Sequence, residues 1–189
     1  NDAAIEFAFQ GPVLKYFGQK RNIVVTGNVN FKIIKNDNSQ HNGECYKTIQ
    51  IDDGDIIDIL STNKSVYGYF SVNGGFKLNK FWNSFSTTIR ARVGPNKGKK
   101  LIEGQEIFLN DPKSSTYRKL EFVNTKIEFI RVIKGTNFDF FSEDSIKDFF
   151  SKDFKVTKLT DRMGMRLEGV KLKNIKNSNI KSEGLVKGT

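Results

Sequence analysis

This chain predicts a mainly β fold, a barrel or sandwich in two subdomains with few short helices. Three observations carry that expectation. Short β-branched and aromatic runs recur, separated by glycine-containing turns. Helical spacing is best developed in a single segment near residue 146. A polar stretch, Asn110-Asp111-Pro112-Lys113-Ser114-Ser115-Thr116, reads as a linker and divides the chain into residues 1–110 and 111–189.

The elements follow in order. Ala4-Ile5-Glu6-Phe7-Ala8-Phe9 is an extended run ended by Gly11-Pro12. Asn22-Ile23-Val24-Val25-Thr26 is β-branched and stops at Gly27. Val29-Asn30-Phe31-Lys32-Ile33-Ile34 alternates apolar and polar residues, then enters a polar loop over residues 36–44. Strands are expected over residues 46–51, 56–60 and 65–72, with Asp52-Asp53-Gly54-Asp55 as a turn between the first two. Residues 87–93, 106–109 and 126–133 also read as strands. The helix is expected over residues 142–150. Ser142 can cap it, Glu143 and Asp144 suit the N-terminal dipole, and Ile146, Phe149 and Phe150 share a face. A last strand over residues 154–160 leads into an unusual motif.

Composition narrows the class. The chain has 189 residues, with 37% hydrophobic and 28% charged residues and 17 Phe, enough for a packed core. No apolar stretch is long enough to cross a bilayer as a helix. The net charge of +10 raises a nucleic-acid reading. Most of that charge is lysine spread beside Asn and Ile, the pattern of an AT-rich genome, so no nucleic-acid partner is expected. The single cysteine, Cys45, allows no internal disulfide and suits a reducing cytoplasm. His41 lies four residues before it, but in a polar loop that offers a Cys–His nucleophile no shaped surroundings. Ligands for a zinc site are lacking, and no metal is expected. The start, Asn1-Asp2-Ala3-Ala4, has no initiator Met and no signal pattern, so a fragment is expected.

Three segments could carry chemistry. Asp161-Arg162-Met163-Gly164-Met165-Arg166-Leu167-Glu168-Gly169 is dense in charge and glycine. Arg162 and Arg166 could hold a carboxylate or phosphate by forked hydrogen bonds; equally, the run could be a surface turn with a structural Arg–Asp pair. Gly164 and Gly169 suggest a tight bend or a close backbone approach. Gly94-Pro95-Asn96-Lys97-Gly98-Lys99-Lys100 resembles a phosphate loop but has the wrong glycine spacing, no Ser or Thr after the lysine and no following helix. It reads as a basic loop, with Arg90 and Arg92 on one face of the strand before it. The hydroxyls of Ser84, Ser86 and Thr87 could hold a polar substrate or satisfy nearby backbone groups.

Several motifs then fall in one order: Ala3-Ala4-Ile5-Glu6 with Gly11-Pro12, Val24-Val25-Thr26-Gly27, Val72-Asn73-Gly74-Gly75, Ser84-Phe85-Ser86-Thr87-Thr88, Gly104-Gln105-Glu106-Ile107, Ile130-Arg131-Val132-Ile133-Lys134-Gly135, residues 161–169, and Ser182-Glu183-Gly184 with Gly188. Together they resemble the carboxyltransferase-domain family of allophanate hydrolase subunit 2, KipA, the C component of 5-oxoprolinase and the matching part of urea carboxylase. The resemblance implies a cyclophilin-like β-barrel architecture in two subdomains. It also implies a partner resembling KipI or allophanate hydrolase subunit 1, with a site at the shared interface. Two chemistries are implied: ATP-dependent opening of 5-oxoproline, and carboxyl transfer from carboxybiotin to urea. With no biotin-attachment segment in the chain, the first is preferred, ATP being shared with the partner. A KipA-like antagonist without catalysis is the other alternative.

On this resemblance the expected catalytic residues are Asp161, Arg162, Arg166 and Glu168. The expected substrate-binding residues are Ser84, Ser86, Thr87, Arg131, Gly135, Asn137, Met163 and Gly164. The chain departs from the family at Phe85, where many members carry Arg, and at Thr136-Asn137, where Gly-Pro-Gln is usual. Family members also extend beyond both ends, which again implies a fragment.

Overall fold

The computed structural model of the protein describes residues 2–63, 65–121, 128–160, 162, 164–176 and 184. The chain divides into two compact units, Asn1–Asn124 and Thr125–Thr189. The fold is mainly β.

Among the described residues the first unit has eight strands: β1 (Ile5–Ala8), β2 (Val13–Lys15), β3 (Arg21–Thr26), β4 (Val29–Ile34), β5 (Gln40–Asn42), β6 (Ile49–Ile51), β7 (Ile56–Thr62) and β8 (Tyr67–Val72). They form two four-stranded sheets, β1-β8-β3-β6 and β2-β7-β4-β5, with every pairing antiparallel. Side chains alternate across a strand, so every second residue faces inward. On β3 these are Ile23 and Val25, on β4 Val29, Phe31 and Ile33, on β7 Ile57 and Ile59, and on β8 Phe70 and Val72. Residues of both sheets join one apolar cluster, which also takes in Phe7 and Ile51.

Asp55, beside the turn into β7, is a buried carboxylate. It accepts from Lys35 Nζ at 2.6 Å and from the Asp52 backbone N–H at 2.8 Å. Charges that deep in a protein are held only when paired and hydrogen-bonded.

The boundary between units falls beyond the polar stretch over residues 110–116, which binds back onto the first unit. Asn73 Nδ2 donates to the Lys113 carbonyl and to Ser115 Oγ, Asn22 Nδ2 donates to Ser115 Oγ, and Arg21 Nη1 donates to the Asn110 carbonyl. Residues 118–120 then run beside residues 46–48: Thr48 N–H donates to Arg118 O and Leu120 N–H to Tyr46 O. The strand expected over residues 46–51 is therefore shortened to β6, its first half pairing with this strap instead.

Three other expected strands take different forms. Residues 87–93 hold a 3-10 turn, Ile89–Ala91, closed by a Thr88–Val93 bridge, with Arg92 in the left-handed region at φ 53°. Arg90 and Arg92 therefore share no strand face. Residues 106–109 contribute one bridge, Phe76 to Leu109. Of residues 126–133, those described, 128–133, lie in no strand and are exposed. β2 and β5 were not expected; β5 takes residues from the polar loop and pairs with β4 at its sheet edge.

The second unit holds the α-helix α1 (Glu143–Ser151) and the hairpin of β9 (Lys155–Thr160) and β10 (Met165–Glu168). Ser142 Oγ caps α1 by accepting from the Ser145 N–H at 3.2 Å. Buried Ser145 Oγ accepts from Lys173 N–H at 2.7 Å and donates to Lys173 O at 3.3 Å, fixing the segment after the hairpin to the helix start. Among the described residues no helix is long and apolar enough to cross a membrane.

Candidate functional site

The predicted site residues fall into two groups, one on each unit. In the first unit Ser84 closes a tight turn with Phe81, each donating its N–H to the other's carbonyl. Ser84 Oγ accepts from the Ser86 N–H at 3.1 Å, and Thr87 Oγ1 donates to Pro95 O at 3.3 Å. Two of these three hydroxyls thus serve the local backbone, as short polar side chains commonly do in turns. Phe85 between them packs against the core cluster, with Lys80 Nζ 5.4 Å from its ring centre. An arginine at position 85 would have to bring its charge to that apolar contact.

The basic loop is fastened to the same turn. Gly98 is at φ +67°, and a Cβ there would collide with the Arg92 backbone. Asn96 and Lys97 are left-handed as well, both at φ 55°. Gly98 N–H donates to Gly94 O and Pro95 O, and Lys99 N–H donates to Asn96 O. A phosphate cradle needs outward-pointing amides; these amides are spent on the loop itself. The Gly98 and Lys99 amides are thus not free to cradle the phosphates of ATP.

In the second unit β10 carries Arg166 and Glu168 into an open groove of about 700 Å³. Phe149, Phe154, Leu159, Leu167 and Leu172 supply its apolar wall, and Lys171 a second cation. The groove exists because the chain turns back twice. The β9–β10 hairpin shifts register between Met165 and Leu167, and α1 sets Phe149 with its ring centre 5.9 Å from that of Phe154. Gly169 permits the close approach the sequence suggested: a Cβ there would lie 2.7 Å from the Phe154 ring and 3.1 Å from Asp153 O. Gly164 has open space around it and no positive φ.

Arg162 is exposed in the hairpin connection; Asp161 and Met163 lie outside the described residues. Arg131 is exposed, outside any strand or helix, in the segment before Gly135. The Gly135 and Asn137 carbonyls accept from Phe138 and Phe140 N–H groups in a 3-10 turn, Phe138–Phe140. Sequence reasoning missed the apolar wall, because Phe149, Phe154 and Leu172 converge only through the hairpin and helix. The signal available was the apolar face of α1.

Cys45 donates its thiol to Val29 O at 3.2 Å, and burial pushes its pKa up, against nucleophilic use. His41 is exposed on β5. Among the described residues no group of His, Cys, Asp and Glu is arranged to hold a metal.

Comparison with known proteins supplies the family. The chain is 28% identical over 170 residues to the C component of 5-oxoprolinase from Haemophilus influenzae, covering 89% of this chain and 53% of that protein. It is 27% identical over 185 residues to urea amidolyase of Lachancea kluyveri, covering 89% of this chain and 10% of that protein. The chain thus spans about half of the first relative and a small part of the second. Among solved structures, K. lactis urea amidolyase superposes with a TM-score of 0.73 at 24% identity, over 93% of this chain and 11% of that one. The profile of the carboxyltransferase domain, subdomains A and B, matches residues 1–189, so the chain belongs to that family.

Proposed function

We propose that this chain forms the substrate-holding part of a 5-oxoprolinase-type enzyme, which opens a cyclic amide with ATP and acts with a KipI-like partner in the cytoplasm. The observation that carries the reading is the groove on β9–β10, where Arg166 and Glu168 meet an apolar wall. Arg166, with Arg162 from the same hairpin, would hold carboxylate or phosphoryl oxygens through charge-assisted hydrogen bonds. Glu168 or Asp161 would orient the arginines or move a proton. Ser84, Ser86 and Thr87 on the first unit, and separately Arg131, Gly135, Asn137, Met163 and Gly164 of the second, are the candidates for substrate contact that the family resemblance supports. The groove is open, which suits a site completed by a second subunit. ATP would be held with that subunit, and biotin is not expected on this chain.

The test is ATP hydrolysis dependent on 5-oxoproline, using the full-length protein co-expressed with its KipI-like partner. Glutamate and phosphate should appear together. Arg166→Ala should lower turnover by about a hundredfold, the scale of losing one preorganised charge contact, with the fold intact. Unchanged turnover would remove Arg166 from the site. A second reading, a non-catalytic antagonist or a biotin-dependent carboxyltransferase, is favoured by Phe85, whose apolar packing replaces the guanidinium usual in the family. It predicts a stable complex without turnover of 5-oxoproline.

A further inference from the structure

The segment that holds Ser84, Ser86 and Thr87 also carries basic and apolar side chains that the catalytic reading does not use. Every charged residue from Lys80 to Lys100 is basic: Lys80, Arg90, Arg92, Lys97, Lys99 and Lys100. All six are exposed, and among the described residues none of the six enters an ion pair. Exposed Glu103 and Glu106 follow, so the stretch from Lys80 to Phe108 carries six cations against two carboxylates; the excess of cations costs energy that an acidic partner would relieve.

The same segment exposes apolar groups. Trp82 is 82% exposed at the tip of the Phe81–Ser84 turn. Both central residues of that turn are left-handed, Trp82 at φ 48° and Asn83 at φ 59°. Such turns favour glycine and asparagine, and a bulky side chain there is strained. The large ring nevertheless stands exposed, with the Phe81 ring beside it at 5.0 Å. Ile102 and Phe108 are also exposed, at 73% and 68%.

The frame beneath is well tied. Phe85 anchors it to the core, Asn96 Nδ2 donates to the Lys99 and Lys100 carbonyls, and Gln105 Nε2 donates to Asn96 Oδ1. Exposed cations on the same segment as an exposed tryptophan match the composition of interface hot spots, which are enriched in Trp and Arg.

We propose that this loop module docks a protein partner whose facing surface is acidic around an apolar centre, with Trp82 as the anchor. Charge complementarity fixes the sign of the partner. Ile102 favours a protein over a nucleic acid, since an exposed aliphatic group gains nothing from phosphates and offers no ring for a base to stack on. The proposal concerns binding alone and holds whichever substrate the family member turns over.

Trp82 is the sole tryptophan of these 189 residues, and the difference in emission between the protein and its Trp82→Phe variant isolates this turn. The full-length protein is titrated at low salt with a labelled peptide of glutamates flanking a central Leu-Phe-Leu. Polyglutamate and oligothymidylate serve as comparison probes. The expected result is a blue shift of Trp82 emission with the first peptide, and binding that weakens as salt rises. Lys97→Glu, Lys99→Glu and Lys100→Glu together should weaken binding about tenfold or more. The same reversal at exposed Lys152, Lys155 and Lys158 of the second unit should change it by less than about twofold, since those residues are remote in sequence and lie outside the module. Trp82→Ala, read by anisotropy of the labelled peptide, should reduce affinity to that of polyglutamate. Three results would overturn the proposal: no blue shift at low salt, equal losses from the two triple reversals, or tighter binding of oligothymidylate than of the peptide. Full affinity in Trp82→Ala would remove Trp82 as the anchor.

Discussion

Replacing Asp55 tests the polar centre of the first unit. The carboxylate is 1% exposed and accepts two hydrogen bonds, from Lys35 Nζ at 2.6 Å and from Asp52 N–H at 2.8 Å. Asp55→Ala leaves the Asp52 N–H without that partner and strips Lys35 of its shortest contact. Breaking a buried pair costs about 3–5 kcal/mol. The Lys35 side chain is 28% exposed and keeps Asp52 at 3.8 Å, so part of its charge is resolvated. The expected loss is therefore about 2–4 kcal/mol. Asp55→Asn keeps the shape and an acceptor for Asp52 N–H while removing the charge, and should cost about half as much. Urea unfolding followed by far-ultraviolet circular dichroism reads both variants, at unchanged dependence on denaturant. A loss below about 0.5 kcal/mol in Asp55→Ala would refute the reasoning, since that is the scale of an ordinary surface change. Equal losses in the two variants would show that the charge, and not the hydrogen-bond geometry, carries the effect.

Other expectations test the loops and the strap. Gly98→Ala should cost at least about 1–2 kcal/mol from left-handed backbone alone, and faster proteolysis within residues 92–100 would report it. Phe85→Arg should lower stability by about 1–3 kcal/mol by setting a cation against the apolar cluster; an unchanged melting temperature would mean that Phe85 does not pack there. Glu44 joins Lys47 to the strap through Lys119. Its pKa is lowered from 4.5, first by the hydrogen bond to Lys119 and then by that to Lys47. A depressed carboxylate contributes stability above its unfolded pKa and loses it as pH falls through the folded value. Amide exchange at residues 118–120 should therefore quicken, relative to intrinsic rates, only as pH drops below about 4.5 and on through the lowered folded value; Glu44→Gln should quicken it already at pH 7.

What was legible in the sequence was whatever depends on near neighbours. The alternation of Val29, Phe31 and Ile33 fixed which face of β4 is buried, and Ser142 with Glu143 and Asp144 marked the start of α1. The ordered glycine turns and the 161–169 run identified the family. Residues 87–93 alternate as a strand would, yet Gly94 and Gly98 fold the chain back onto the Ser86 and Arg92 backbones, and no period in the sequence carries that contact. Residues 110–116 read as a linker because polar side chains look alike in a linker and in a strap. Only Asn22, Asn73 and Arg21, far away in sequence, decide that this is a strap. The site divides in the same way. Arg166 and Glu168 stand out by their charge, which the sequence states directly. Their apolar wall from Phe149, Phe154 and Leu172 required the hairpin and helix to meet, and packing among residues distant in sequence is settled by tertiary structure alone.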